Sequence, residues 1–241
     1  PALRARPDLS GLTAPADWDA ACGEARATLP AGPFLDRHFR LVRRGDGRGL
    51  VTGYYLPAIP ASPVARPGLV PVLGPPEGLP CTPAAPCPPR AAIEAGALAG
   101  RSPILAWADP VDLFFLQVQG SGVLRLADGR TRNLGFAGTN GQPYVAIGPL
   151  LRARGQMPAG AGMAGIRARL AEDPAAARAL MAENPRYVFF REVPPGAPFP
   201  TGALGTVLEA RGDAAVDPAL VPPGALIHLE TRVGDRPFAG L

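Results

Sequence analysis

From residue 57 to residue 89 a proline recurs every few positions. No stretch of that kind holds a regular helix, because each proline removes a backbone donor and clashes with the turn before it. The segment is therefore extended or loop. Glycine (30) and proline (32) together make 62 of the 241 residues, at the border of low-complexity composition. The 47% apolar share and a net charge of only +4 exclude a disordered chain, which lacks the apolar surface to offset its ordering entropy. A chain of this length folds as one or two domains with a sizeable core.

All 24 basic residues are Arg, scattered, with no run beyond Arg43-Arg44. A nucleic-acid protein would gather them on one face or along one helix. The small positive charge mildly favours an acidic substrate and establishes no more than that. No apolar run reaches the ~18 residues of a membrane span. The opening Pro1-Ala-Leu-Arg shows no targeting segment, and a mature, cleaved chain would look the same. Cys81 and Cys87 bracket the Pro-rich CTPAAPC, while Cys22 stands alone. A local bridge is sterically possible and would imply an oxidising compartment; two reduced thiols in a surface loop are the alternative.

The elements expected from pattern are mainly β. A short helix is expected around Asp17-Trp18 to Ala27, and a strand over 49–56. Residues 104–136 form the strongest β region. Phe114 to Gln119 reads as a strand broken at Gly120-Ser121-Gly122, and Asp128-Gly129 marks a hairpin between 123–126 and 134–136. Leu124-Arg125-Leu126 alternates with period two, one face buried and one wet. Residues 144–183 switch to helix. Ile147, Leu150 and Leu151 recur at helical spacing before Gly155, and Met163, Ile166 and Leu170 form a second stripe. Asp173-Pro174 is an N-cap followed by Pro at N1, and Asn184-Pro185 stops the third helix. Tyr187 to Phe190 returns to strand, and 204–241 reads as short strands joined by turns, one of them Ala225 to Thr231.

Gly160 to Gly165 matches G-x-G-x-x-G, but a helix and Met157-Pro158 precede it instead of the strand that a dinucleotide site needs, so the glycines read as punctuation. Gly120-Ser121-Gly122 lacks the residue that a nucleophile elbow places between its first Gly and Ser. The two histidines, His38 and His228, stand in no catalytic context, and with no Cys/His pairing a zinc site is not expected. The region with chemical content is 114–144. On a strand, Phe115, Gln117 and Gln119 share one face, an aromatic ring and two amides. That repertoire suits sugar hydroxyls and N-acetyl groups, and the glycines after it let backbone approach a ligand closely. Gly138 to Tyr144 adds Asn140, further amides and another ring. A buried amide pair satisfying nearby backbone is the competing reading.

Several of these motifs resemble one family. Thr52-Gly53-Tyr54-Tyr55, the run Asp112 to Gly122, and Gly138-x-Asn140-Gly-x-Pro-Tyr144 are similar to the membrane-bound lytic murein transglycosylase A family. So are Ile147-Gly148, Asn184-Pro-x-Tyr-Val-Phe-Phe190 and Val216 to Gly224, in family order across about residues 50–230. The resemblance implies a double-psi β-barrel domain from both chain ends, here 1–57 and 204–241. A smaller inserted β-rich domain, 58–203, carries a few helices, and a glycan cleft lies between them.

It further implies non-hydrolytic cleavage of the β-1,4 bond between N-acetylmuramic acid and N-acetylglucosamine, leaving a 1,6-anhydromuramyl end. One aspartate would serve as acid and then as base toward the muramyl 6-hydroxyl, an intramolecular nucleophile with a high effective molarity. No metal or cofactor follows. The family aspartate lies beyond the position of Leu241, so no catalytic residue is carried over, and a chain ending there is expected to be inactive on murein. The alternative is a non-catalytic peptidoglycan-binding or scaffold protein. Thr52, Tyr54, Gln117, Gln119, Ser121, Asn140 and Tyr144 are the implied cleft residues. The implied setting is the periplasm or cell envelope, as a monomer on peptidoglycan strands, alongside other wall enzymes, with a lipid anchor upstream of Pro1 left open. Leu56 and the Cys81–Cys87 loop depart from the family pattern.

Overall fold

The computed structural model describes residues 8–25, 31–43, 45–46, 54–78, 80–158, 160–210, 212–233 and 236–240. In chain order its elements are α1 (Trp18–Glu24), α2 (Ala31–His38), β1 (Ala58–Ser62), β2 (Val70–Leu73), α3 (Arg90–Glu94), β3 (Ile104–Ala108), α4 (Pro110–Gln119), β4 (Gly122–Leu126), β5 (Thr131–Thr139), α5 (Ile147–Ala153), α6 (Met163–Glu172), α7 (Pro174–Ala182), β6 (Val188–Val193), β7 (Leu229–Val233) and β8 (Arg236–Gly240). The chain divides into two compact units, one made of Pro1–Gly53 with Thr201–Leu241, the other of Tyr54–Pro200.

In the first unit, Glu24 on α1 pairs with Arg37 and His38 on α2. The Trp18 ring packs edge-on against Phe39, 6.4 Å between centroids. β7 and β8 form an antiparallel hairpin. The strand expected from Ala225 begins only at Leu229.

The second unit is organised by a six-stranded sheet in the order β2-β3-β1-β4-β5-β6. All pairs are antiparallel except β1 with β4. The sheet curls into a nearly closed barrel. The Tyr187 hydroxyl, just ahead of β6, lies 3.4 Å from the Pro71 carbonyl of β2, and Arg132 of β5 donates to the Leu105 carbonyl of β3 at 2.8 Å. Ile59, Val72, Ala106, Leu124, Leu134 and Phe190, one from each strand, meet in a single core cluster. In β4 the alternation expected from Leu124-Arg125-Leu126 is realised, with both leucines buried and Arg125 exposed.

Two β expectations are corrected. Of the strand expected over 49–56, residues 49–53 lie outside the described residues and Tyr54 to Leu56 run without regular structure, while β1 begins at Ala58, inside the Pro-rich stretch. That is possible because Pro60 falls just beyond the β1–β3 ladder, which pairs only Ala61 and Ser62, and because β2, which holds Pro71, pairs only with β3.

The second correction matters more. Residues 114–119 are not a strand but the C-terminal part of helix α4. Asp109 caps it, its side chain accepting from the Val111 and Asp112 amides; Pro110 sits at its first position, and Gly120 ends it with φ 80. Leu113 and Leu116 fill the barrel interior. Phe114 and Phe115 join Leu151, Leu170, Leu180 and Met181 of α5, α6 and α7 in a second cluster. A helix buried on nearly every side reads as an unbroken apolar run.

The helices expected over 144–183 are present as α5, α6 and α7. Gly155 closes α5 with φ 66, its amide donating to the Arg152 carbonyl while Gln156 donates to Leu151, a Schellman arrangement. Asp173 caps α7 through the Ala175 and Ala176 amides. Gly162 stands at the N-cap of α6, so the G-x-G-x-x-G run punctuates the entry to that helix.

Candidate functional site

Helical geometry separates residues that a strand would align. Gln117 points inward and is 3% exposed. Its Oε1 accepts from Arg90 Nη1 at 2.7 Å, and its Nε2 donates to the Val188 carbonyl at 3.1 Å. Arg90, itself buried on α3, also donates to the Asn184 and Arg186 carbonyls and to Glu94. Its guanidinium lies 4.8 Å from the Phe114 ring centroid and 5.4 Å from that of Tyr187. Burial pulls its pKa down, and Glu94 opposes that shift.

Asn140 is likewise fully buried. Its Nδ2 donates to the Pro88 and Pro185 carbonyls, both at 2.9 Å, and its Oδ1 accepts from the Tyr187 amide at 2.8 Å. Gln117 and Asn140 therefore satisfy backbone and a buried cation, the competing reading of the amides. Gly122 makes its close approach to the chain itself, since a Cβ there would stand 2.7 Å from the Pro57 carbonyl oxygen.

Gln119, one turn from Phe115, is half-buried, and its Oε1 accepts from the Tyr55 amide at 3.4 Å. Ser121, also half-buried, follows between α4 and β4. Tyr54 is 70% exposed and Tyr144 49%. Burial raises the Tyr144 pKa, the Tyr54 phenol raises it further, and Arg186 opposes the rise. Arg186 is held by its Nε–H bond to the Gln142 carbonyl at 3.0 Å. Tyr55 and Phe136 are exposed as well, Phe136 standing beside Gly120. Thr52 lies outside the described residues. The surface set is thus Tyr54, Tyr55, Gln119, Ser121, Phe136 and Tyr144. Among the described residues no group of three metal-ligating side chains occurs, and no helix is long and apolar enough to cross a membrane.

Residues 50–191, more than half the chain, match the family model described as the MltA specific insert domain. The chain belongs to the MltA family. It is 36% identical over 196 residues to the membrane-bound lytic murein transglycosylase A of Vibrio cholerae, an alignment covering 77% of this chain and 50% of that protein. The crystal structure of E. coli MltA with bound chitohexaose superposes with a TM-score of 0.64 at 34% identity, over 72% of this chain and 51% of that one. The membrane-bound lytic murein transglycosylase of Agrobacterium tumefaciens gives a TM-score of 0.74 at 26% identity, over 98% and 77%. The chain spans about half the length of the curated relatives it matches.

Within this MltA fold, sequence reasoning missed Tyr55, Phe136, Arg186 and the Arg90 hub. Tyr55 stood in the Thr52 to Tyr55 motif, and a period-two reading of β5 groups Phe136 with the buried Leu134, whereas the structure leaves Phe136 exposed. Cys81 and Cys87 are bridged, with their Cα atoms 4.9 Å apart.

Proposed function

We propose that this chain holds the glycan strand of a lytic murein transglycosylase along the exposed ring-and-amide surface of its insert domain. Tyr54 and Tyr144 offer faces for pyranose C–H groups, while Gln119 and Ser121 offer donors and acceptors for hydroxyl and N-acetyl groups. Thr52 extends the set by resemblance. Gln117 and Asn140 act one layer below, holding the backbone that carries the binding residues. The observation that carries the reading is the exposure of Tyr54 and Tyr144, two rings open to solvent in the unit that the family model matches. A solved relative of the same fold binds chitohexaose. The whole protein's reaction is then the non-hydrolytic cleavage to 1,6-anhydromuramyl ends, in the cell envelope, where the Cys81–Cys87 bridge forms readily.

Calorimetric titration with chitohexaose tests the binding surface. Tyr144→Ala or Gln119→Ala is expected to weaken binding about tenfold, the scale of one lost ring contact or hydrogen bond. Arg130→Ala, at the far β4–β5 turn, should leave it unchanged. Wild-type affinity in both Tyr144→Ala and Gln119→Ala would refute the assignment. The reaction class is read on the natural full-length protein, whose murein products should end in 1,6-anhydro rings and not in reducing sugars.

A further inference from the structure

The Gly138–Tyr144 segment is gripped from two sides. On one side stand residues 184–187: the Asn184 side chain accepts from the Val145 amide at 3.1 Å, and Tyr187 and Arg186 bond to Asn140 and Gln142. On the other side lies the loop closed by the Cys81–Cys87 bridge. The Cys87 amide donates to the Asn140 carbonyl at 2.8 Å, and Gln142 Nε2 donates to the Cys87 carbonyl at 2.9 Å. The loop's tip rests directly on Gly141. A Cβ at that position would stand 2.3 Å from the Thr82 carbonyl oxygen and 3.2 Å from the Pro83 nitrogen, and its φ is 76. Only glycine admits that approach.

The two ends of the loop are not anchored alike. Cys87 is buried and hydrogen-bonded into the turn, Cys81 packs half-buried against the cluster of Leu73, Ile93 and Phe189, and the tip between them carries the reciprocal Thr82 and Ala85 amide–carbonyl pair. Cys81 holds a left-handed backbone, φ 38, unusual for a residue with a Cβ. The bridge is the covalent link that fixes this residue, and with it the tip, against Gly141.

We propose that the Cys81–Cys87 bridge is a positioning element for glycan binding, holding the Gly141–Tyr144 turn so that Tyr144 presents its ring only after the two thiols have been oxidised. The inference rests on the glycan reading of Tyr144. The chemistry is thiol–disulfide exchange with an external disulfide. The two cysteine thiols lose two protons and two electrons and form one S–S bond, while the external disulfide is cleaved and leaves as two thiols. Before that exchange the tip is free to leave Gly141, and the turn must be ordered when a glycan binds. Ordering even one residue on binding lowers affinity by about tenfold. The glycan surface is therefore completed in an oxidising compartment and is weak in a reducing one.

The experiment uses a Cys22→Ser background, because Cys22 is an exposed free thiol. Chitohexaose affinity is measured for the oxidised chain, for the chain reduced with a phosphine, and for the Cys81→Ser/Cys87→Ser variant. Amide hydrogen exchange is followed in all three. Affinity is expected to fall about tenfold on reduction, with the double variant at the reduced level and indifferent to the phosphine. Exchange should quicken at Cys87 and across 140–145 while β4 and β5 stay protected. Equal affinity in the two redox states overturns the proposal. Loss of protection throughout the sheet also overturns it, since the bridge would then staple the whole fold. If the oxidised chain binds no chitohexaose, the glycan reading fails by itself. The clamp is then judged on exchange, and unchanged protection across 140–145 on reduction refutes it.

Discussion

Replacing Gln117 with alanine separates a structural amide from a sugar-binding one. In the wild type its carbonyl accepts a charge-assisted hydrogen bond from Arg90 at 2.7 Å, and its amide donates to the Val188 carbonyl at 3.1 Å. The first is worth roughly 1.5–3 kcal/mol and the second roughly 0.5–1.5 kcal/mol. Arg90 is 2% exposed and Gln117 3%, so water does not readily replace the lost partners. Arg90 keeps Glu94 and two carbonyls, which tempers the loss. The expected destabilisation is about 3 kcal/mol. Urea unfolding monitored by Trp107 on β3, in a Trp18→Phe background to silence the other unit, measures it. Gln119→Ala should cost less than about 0.5 kcal/mol, as surface substitutions do, while weakening chitohexaose binding. The reasoning fails if Gln117→Ala unfolds at the wild-type midpoint yet loses glycan affinity, for the amide would then be facing sugar.

Two further outcomes concern tyrosines. Burial holds the Tyr187 phenol well above its ordinary value, with Glu94 adding to the rise and Arg90 and Gln117 opposing it. The unfolded phenol ionises near pH 10 while the folded one stays neutral, so stability is complete below about pH 10 and declines as pH rises beyond it. Tyr187→Phe should flatten that decline in alkaline unfolding series, and an equally steep decline in the variant would discard the account. Tyr54→Phe removes the ionisable hydroxyl that helps to raise Tyr144, so ultraviolet titration should show Tyr144 ionising at lower pH; no movement would refute an electrostatic influence of Tyr54 on Tyr144.

Legibility in the sequence followed local punctuation. Asp173-Pro174 announced α7, and the structure caps it there. The same signal, Asp109-Pro110 with Gly120 ten residues later, bounds α4. It was masked because Leu113 to Val118 is apolar on the faces that meet both the barrel interior and α5 to α7. Over six residues such a run shows neither period clearly. Gln119 and Tyr144 reached the surface set through motif position and not through the strand face that first grouped the amides. Arg90 was illegible for another reason. Apart from Glu94 one turn along α3, its partners are the carbonyls of Asn184 and Arg186 and an amide on α4, brought together only by the tertiary fold. Nothing within its own neighbourhood of prolines distinguishes it from the other arginines.

The strand order carries a consequence for assembly. Residues 58–108 supply the ribbon β2-β3-β1, and residues 122–193 supply the ribbon β4-β5-β6. Each comes from one continuous stretch of chain, and the two meet along the parallel β1–β4 seam. Helix α4 is the connection between them, and its leucines lock both ribbons from inside. The β4–β5 hairpin, with its short turn, is the local contact that closes early, and the parallel join of residues far apart in sequence closes late. The helix that lies across the seam is thus the bolt of the module, and a cut on either side of it should leave two halves able to reassociate when mixed.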